Sequence, residues 1–191
     1  MLIEPRKYEA NGLFYTIRPA EPADAQALSE LRLLIDGETE HMDRERGEEY
    51  LDEAAFTRLI REDSALSRNL FLVAEAGEIL VGFSRCQGST LKRFSHRVEF
   101  GVCVCRACWR YGIGKALLQQ SVNWADETGV RKMMLSVLET NVNAIALYER
   151  FGFAVEGVLQ KDRLLSDGSY YATILMGRIP AQISQENEGL R

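Results

Sequence analysis

The stretch Val102–Leu118, VCVCRACWRYGIGKALL, decides the fold of this chain. It begins as an alternating apolar strand, passes through a short basic loop and becomes an apolar helix after Gly112 and Gly114. Glycines at such a junction let main-chain N–H groups approach a ligand closely, and the helix N-terminus adds the positive end of its dipole. The stretch therefore predicts a strand–turn–helix unit whose turn binds an anion.

The charge distribution around this turn favours a phosphate as the anion. No Asp or Glu occurs from Phe100 to Ala125, although the chain as a whole has a net charge of −5. Three basic residues lie in the same stretch, namely Arg106, Arg110 and Lys115. A solvated basic loop has the same composition, but a phosphate site also accounts for the glycines, so we favour the phosphate site.

Two common phosphate-binding motifs fit the turn poorly. A Walker loop needs four residues between its glycines followed by Lys-Ser/Thr, and the chain lacks this pattern. A dinucleotide fingerprint needs a third glycine where Leu117 stands, although Glu139 follows the next strand in an arguable acidic position. A nucleotide-dependent transferase is therefore a weak alternative, which a thermal-shift comparison of ATP, NAD and acetyl-CoA would test.

Outward from this unit, the hydrophobic pattern predicts two helices, a strand meander and then β–α–β–α–β–β, which is one mixed α/β sandwich. We expect a single domain over residues 1–179 and a polar tail over residues 180–191. The expected strands are Tyr15–Arg18, Leu70–Ala74, Ile79–Arg85, Arg97–Val104, Met133–Leu138, Ala154–Leu159 and Tyr170–Arg178. The expected helices are one after Pro19–Asp24, then Glu48–Leu66, Gly112–Thr128 and Thr140–Phe151.

Composition excludes several classes of protein. With 191 residues, 46% of them hydrophobic, the chain is long and apolar enough to bury a core, so it is not disordered. Its acidic balance argues against nucleic-acid or anionic-membrane partners, and no apolar stretch approaches the ~20 residues that span a bilayer. The first dozen residues contain no apolar signal-peptide region, so we expect a cytoplasmic protein.

Three cysteines, Cys103, Cys105 and Cys108, lie close together with His96 upstream. Zinc sites usually combine two pairs of ligands, and the only other histidine is His41. We therefore interpret the cysteines as small buried hydrophobic residues and expect no metal.

Two motifs in the expected order then resemble one known family. The runs WRYGIGKALL (Trp109–Leu118) and TNVNAIALYERFGF (Thr140–Phe153) are similar to the GNAT superfamily of acetyl-CoA-dependent N-acetyltransferases. The run that follows, GFAVEGVL…DGSYYATILMGR, is similar to the amino-acid and ribosomal-protein branches. The chain departs from the family at Trp109, where the glycine loop usually begins with Gln or Arg.

The resemblance implies a mixed, mostly antiparallel central sheet flanked by helices, with a splayed pair of strands that holds acetyl-CoA. It further implies a homodimer and an amine acceptor that is a small molecule, such as an amino acid, or a peptide. The pantetheine arm would bond to the strand backbone at Val102, Cys103 and Val104. The diphosphate would lie on the main-chain amides of Arg110, Tyr111, Gly112, Ile113, Gly114 and Lys115.

The second motif carries two further implied roles. Asn141 and Tyr148 lie seven residues apart, so a helix places them on one face about 10 Å apart. By resemblance, Asn141 contacts the cofactor and Tyr148 donates a proton to the departing thiolate. A phenol with a pKa near 10 stays protonated at neutral pH and suits that role. Apart from the motif, Tyr148 would be interpreted as a core residue.

Glu99 is the candidate general base, because it lies close to where many family members carry a catalytic glutamate. In the strand RVEFGVCV, alternation places Glu99 and Cys103 on one face and the valines and Phe100 on the other. A surface glutamate and a catalytic base fit this pattern equally well, and deprotonation through a chain of waters is a third alternative.

The expected reaction is direct attack of the amine on the thioester in a ternary complex, with the oxyanion held by strand N–H groups near Val104. Direct attack needs no covalent acetyl-enzyme. A cysteine nucleophile is also disfavoured, because neither Cys103 nor Cys105 has an activating partner nearby in the sequence. The alternative is a non-catalytic module that senses acyl-CoA. Two interpretations stay open for the acids Glu38, Glu40 and Asp43: recognition of a cationic acceptor, or a solvated charged loop.

Overall fold

A computed structural model of the chain describes residues 3–180, so residues 181–191 of the expected tail lie outside the described residues. Its strands are β1 (Arg6–Ala10), β2 (Leu13–Pro19), β3 (Leu70–Ala76), β4 (Ile79–Gly88), β5 (Arg97–Val104), β6 (Lys132–Leu138), β7 (Ala154–Leu164) and β8 (Tyr170–Arg178). Its helices are α1 (Ala25–Asp36), α2 (Glu53–Ala65), α3 (Ile113–Glu127) and α4 (Val142–Arg150). This order confirms the predicted mixed α/β fold.

All eight strands form one sheet in the order β1-β2-β3-β4-β5-β6-β8-β7. Every neighbouring pair is antiparallel except β5 and β6, which are parallel. The parallel pair arises because the chain leaves β5, crosses over through α3 and returns as β6. The crossover places the glycine turn at the carboxyl end of β5.

The helices cover the two faces of the sheet, as neighbouring residues of β4 show. The Ser84 hydroxyl lies 3.2 Å from that of Ser121 on α3, whereas Arg85 donates to Asp63 on α2. Since successive strand side chains point to opposite faces, α3 and α2 lie on opposite sides of the sheet. The core fills both layers, and its largest fully buried side chains include Trp124, Phe56, Ile17, Leu28, Leu72 and Leu117.

Three sequence expectations need correction. The strand β1 was not expected, because RKYEA is polar and mostly exposed at the edge of the sheet. The second helix begins at Glu53 rather than Glu48, since the Asp52 side chain accepts a hydrogen bond from Ala55 N at 2.7 Å and caps it there. The strand β7 continues to Leu164, five residues beyond the expected end at Leu159, with register shifts against β8.

Within residues 3–180, no helix combines the length and the apolar character that a membrane crossing needs.

Candidate functional site

The turn before α3 has the backbone of an anion-binding nest. Arg110 has φ +68° and Gly112 has φ +76°, both in the left-handed region. Gly112 is the N-terminal cap of α3, and its carbonyl accepts from Ala116 N at 2.9 Å. Alternation of left-handed and ordinary residues turns successive N–H groups toward one concavity. The exposed Arg110 and Lys115 add positive charge, so the turn fits a diphosphate group.

The β1–β2 hairpin supports this turn from outside. The Asn11 side-chain amide donates to the carbonyl of Arg110 at 3.4 Å, and Tyr15 lies next to Gly112. Sequence analysis missed this contact together with β1. Its signal was the dipeptide Asn11–Gly12, which has positive φ at both residues, as a type I′ hairpin requires.

A gap opens between β5 and β6 beyond Glu99. The two strands pair only at Arg97, Val98 and Glu99, so the rest of β5 has no neighbour on that side. Cys105 N donates to Val81 O at 2.9 Å, which fixes the alternation of hydrogen-bonded and non-bonded pairs between β4 and β5.

This alternation decides which main-chain groups are available in the gap. It directs the main-chain groups of Cys103 toward β4 and those of Val102 and Val104 toward the gap. Of the three residues expected to bond to a pantetheine arm, Val102 therefore presents a free N–H and a free carbonyl to the gap, and Val104 presents a free N–H. The Val104 carbonyl accepts from the Trp109 indole N–H at 2.8 Å.

Helix α4 brings Asn141 and Tyr148 to the same gap. Asn141 is the N-cap of α4, and its side-chain oxygen accepts from Ala144 N at 3.4 Å. Tyr148 is 8% exposed and packs edge-on against Phe100 on β5 and obliquely against Phe153, at centroid distances of 6.5 and 5.8 Å. Burial, and to a smaller degree the nearby Cys103 thiol, raises the pKa of Tyr148 to about 12.

The predicted acid and the candidate base line one cavity of about 300 Å³. Glu99 is exposed there, and Tyr148, Asn141 and Val102 form other parts of the wall. The Glu99 side chain forms no hydrogen bond or ion pair with the described residues, which leaves its carboxylate available. The remaining lining residues are His41, Met42, Asp43, Arg85, Gln87, Phe100, Gly101, Ser136 and Val137.

A second cavity of about 450 Å³ lies on the side of the glycine turn and is lined in part by Arg106, Trp109 and Thr140. His41 borders both cavities, so the segment between α1 and α2 separates them. The turn residues Arg110–Lys115 line neither of the two.

The acids of this segment are engaged within the protein. Glu38 accepts from Arg106 N at 2.7 Å, Glu40 accepts from the main-chain N–H of the β7–β8 loop, and Asp43 pairs with a β7 arginine at 2.6 Å. The partners of Glu40 and Asp43 are Ser166 N and Arg163. The hydrogen bonds from Ser166 lower the pKa of Glu40. These acids therefore hold the segment in place rather than standing free.

Of the three clustered cysteines, two are buried as the sequence predicted, whereas Cys108 is half-exposed. Cys103 and Cys105 are buried, and burial raises the pKa of both thiols, that of Cys105 to about 11. Thiols with raised pKa values are poor nucleophiles at neutral pH. Across residues 3–180, no group of three or more His, Cys, Asp or Glu side chains is placed to hold a metal ion.

Comparison with known proteins identifies the family. The profile described as "Acetyltransferase (GNAT) family" matches residues 34–153. The chain therefore belongs to the GNAT acetyltransferase family.

Two curated relatives are similar to the chain in sequence. The L-amino acid N-acetyltransferase of Escherichia coli K12 is 32% identical over 88 residues, which is 46% of this chain and 54% of the relative. The [ribosomal protein bS18]-alanine N-acetyltransferase of the same strain is 33% identical over 106 residues, 52% of this chain and 72% of the relative. The chain thus spans about half the length of the first and nearly three quarters of the second.

Solved structures share the fold. An acetyltransferase from Salmonella typhimurium, solved with its cofactor acetyl-CoA, has a TM-score of 0.76 at 22% identity and covers 86% of this chain and 93% of its own.

Proposed function

We propose that this chain transfers an acetyl group from acetyl-CoA to a primary amine by direct attack within a ternary complex. The observation that carries the proposal is the gap between β5 and β6. An anion-binding type of turn follows the carboxyl end of β5, and Tyr148 and Glu99 line one cavity at the gap. The named relatives act on L-amino acids and on a ribosomal-protein alanine, which supports an amine acceptor.

The cofactor-binding part of the proposal follows from free main-chain groups. The amides of Arg110–Lys115 would hold the diphosphate, with Gly112 permitting the left-handed turn. Val102 and Val104 would hydrogen-bond to the amides of the pantetheine arm like an added strand, while Cys103 borders the arm through its position alone. The Asn141 side chain, at the start of α4, would contact the same arm. When bound, acetyl-CoA supplies an activated thioester.

The two proton-transfer roles fall to Glu99 and Tyr148. An amine arrives largely protonated, and the unpaired Glu99 carboxylate is positioned in the cavity to accept its proton. Tyr148 remains protonated through the whole physiological range because burial raises its pKa, so its hydroxyl can donate to a departing thiolate. A free N–H of β5 near Val104 would face the developing oxyanion.

The test is an acceptor screen at fixed acetyl-CoA, combined with calorimetric binding of acetyl-CoA. We expect binding and amine-dependent loss of the thioester. Binding without turnover for any amine or peptide would instead support an acyl-CoA sensor, and tighter binding of ATP or NAD would contradict the family assignment of the turn.

We also propose a homodimer formed along the β7 edge of the sheet. The strand β7 is an edge strand, and four of its apolar side chains are about half exposed, namely Val155, Val158, Leu159 and Leu164. Unpaired edge strands with apolar side chains favour association. Light scattering should give a dimer mass that Val158→Asp reduces, whereas a monomer at all concentrations would contradict the proposal. A cytoplasmic location and a single domain over residues 1–179 stay predictions from the sequence.

A further inference from the structure

The cavity beside Glu99 contains a second charged group that the acetyl-transfer proposal does not use. Arg85 lies on β4 and lines the same cavity, with its side chain 27% exposed. In the β4–β5 register Arg85 is opposite Gly101, and Gln87 is opposite Glu99. Arg85 and Glu99 are thus diagonal neighbours on one face of the sheet, about 7–8 Å apart at the backbone.

These two opposite charges do not pair with each other. Arg85 is held instead by the buried Asp63, through Nε to Oδ2 at 2.6 Å and Nη2 to Oδ1 at 2.9 Å. Its Nη1 donates to the Gln87 side-chain oxygen at 2.8 Å. Asp63 is itself fixed by Asn69, which donates to Oδ1 at 2.6 Å. The guanidinium is therefore held rigidly, so that little side-chain entropy is lost when it binds a ligand.

Donors remain available on this arrangement. A guanidinium has five N–H bonds, and the contacts to Asp63 and Gln87 use three of them, which leaves one each on Nη1 and Nη2. The Gln87 amide accepts through its oxygen, so its NH₂ group is also free to donate, and Gln87 is exposed. Arg85 and Gln87 together present donors suited to a carboxylate.

The floor between these donors and Glu99 is open. Gly101 lies there, and a Cβ built at Gly101 would meet no atom within 4 Å. The other charges at the cavity are accounted for, since Asp43 is paired with Arg163 and Arg85 with Asp63. The one unpaired charge among the lining carboxylates is that of Glu99.

We propose that the acceptor is a free α-amino acid, whose carboxylate binds Arg85 and Gln87 while its ammonium group faces Glu99. This deepens the proposed function and rests on it. An amino acid's adjacent ammonium and carboxylate groups, each extended by one charge-assisted hydrogen bond, span about 8 Å. Arg85, Gln87 and Glu99 line one cavity and start from backbone positions about 7–8 Å apart or less, so one small zwitterion can reach both ends. A protein N-terminus has an amide where the free amino acid has this carboxylate, so the arrangement selects the small acceptor.

The experiment compares each free L-amino acid with its own α-carboxamide, using the full-length protein and loss of the thioester. For the amino acids that are accepted, we expect kcat/KM for the carboxamide to be about 10- to 100-fold lower, which corresponds to the loss of one charge-assisted hydrogen bond. Equal rates for acid and carboxamide would overturn the proposal, as would acetylation confined to peptides.

Two variants test whether Arg85 and Gln87 cause the preference for the free acid over the carboxamide. Arg85→Lys keeps a positive charge beside Asp63 but loses the planar fork, and Gln87→Glu places a like charge beside the ligand carboxylate at an exposed position. Both should reduce the preference for the free acid to within about 3-fold without changing the Kd of acetyl-CoA. Arg61→Lys, an exposed arginine of α2, is the matched control and should keep the preference. A full preference retained in both Arg85→Lys and Gln87→Glu would overturn the assignment.

Failure of the proposed acetyl transfer can be distinguished from failure of the acceptor inference. If acetyl-CoA binds but no amine is acetylated, calorimetry of amino acids with the protein–CoA complex decides the inference separately. Binding of the free acid and not of the carboxamide supports the site, and binding of both or of neither overturns it.

Discussion

Replacing Tyr148 with Phe removes the hydroxyl proposed to protonate the departing thiolate and leaves the ring in place. The edge-on contact with Phe100 and the oblique contact with Phe153 involve the ring alone. The hydroxyl forms no hydrogen bond with any residue from 3 to 180, so its removal leaves no partner unsatisfied. We expect the free energy of unfolding to change by less than about 0.5 kcal/mol.

The expected effect on turnover follows from the pKa of Tyr148. At about 12 it is well above the value near 8.5 that is typical of a thiol, so complete proton transfer to a thiolate is uphill. The hydroxyl then contributes mainly by donating a hydrogen bond to the negative charge that develops on the departing sulfur. General acids typically raise the reaction rate by a factor of about 10² to 10⁴. We expect kcat to fall about 100-fold, at the lower end of that range. Since Tyr148 is protonated below its raised pKa, the wild-type rate should show no loss from this group up to about pH 10.

The assay should follow the ultraviolet absorbance of the thioester, because the half-exposed Cys108 would react with a thiol dye. Tyr170→Phe is the matched control, since Tyr170 is 63% exposed. A kcat within 3-fold of wild type would refute the acid role. A parallel rise in the Kd of acetyl-CoA would show that the hydroxyl binds the cofactor instead.

Three further predictions concern other parts of the site. Glu99→Gln should lower the rate chiefly at low pH, where the amine is protonated, and an unchanged pH–rate profile would exclude Glu99 as the base. Gly112→Ala and its control Gly129→Ala introduce a Cβ at residues with φ of +76° and +70°, so each should lower the free energy of unfolding by about 1–2 kcal/mol in thermal or denaturant unfolding. Only Gly112→Ala should also weaken acetyl-CoA binding. Asp63→Ala leaves the partly exposed Arg85 without its ion-pair partner and should lower the free energy of unfolding in urea by about 2–3 kcal/mol. A decrease below about 0.5 kcal/mol would contradict a structural role for the pair.

The elements closest to the glycine turn were predictable because their signals are local. The glycines, the alternation of β5 and the Asn141 cap each depend on residues a few positions apart, and the structure has them where the sequence indicated. The face shared by Glu99 and Cys103 follows from the uninterrupted register with β4.

Other features depend on residues that are distant in the chain. Asp63 and Arg85 meet only because α2 packs on β4, and no pattern in either segment indicates the partner. The sequence left the acids between α1 and α2 as recognition groups or as solvated loop residues. In the structure Glu38 and Glu40 instead accept from main-chain N–H groups, which carry no side-chain signal in a sequence. The extension of β7 escaped prediction because its register shifts interrupt the alternation.

The short parallel contact at Arg97–Glu99 has a mechanical consequence for the whole sheet. Within residues 3–180, strands β1–β5 and strands β6–β8 form two blocks whose direct main-chain connection is limited to these three register positions and the adjoining hydrogen bonds to the His96 carbonyl. A ligand that hydrogen-bonded to the β5 backbone beyond Glu99 would fill the gap between the two blocks and connect them. Amide hydrogen exchange at Val102 and Val104 would then slow on loading more than exchange at Cys103, whose amide is already committed to β4.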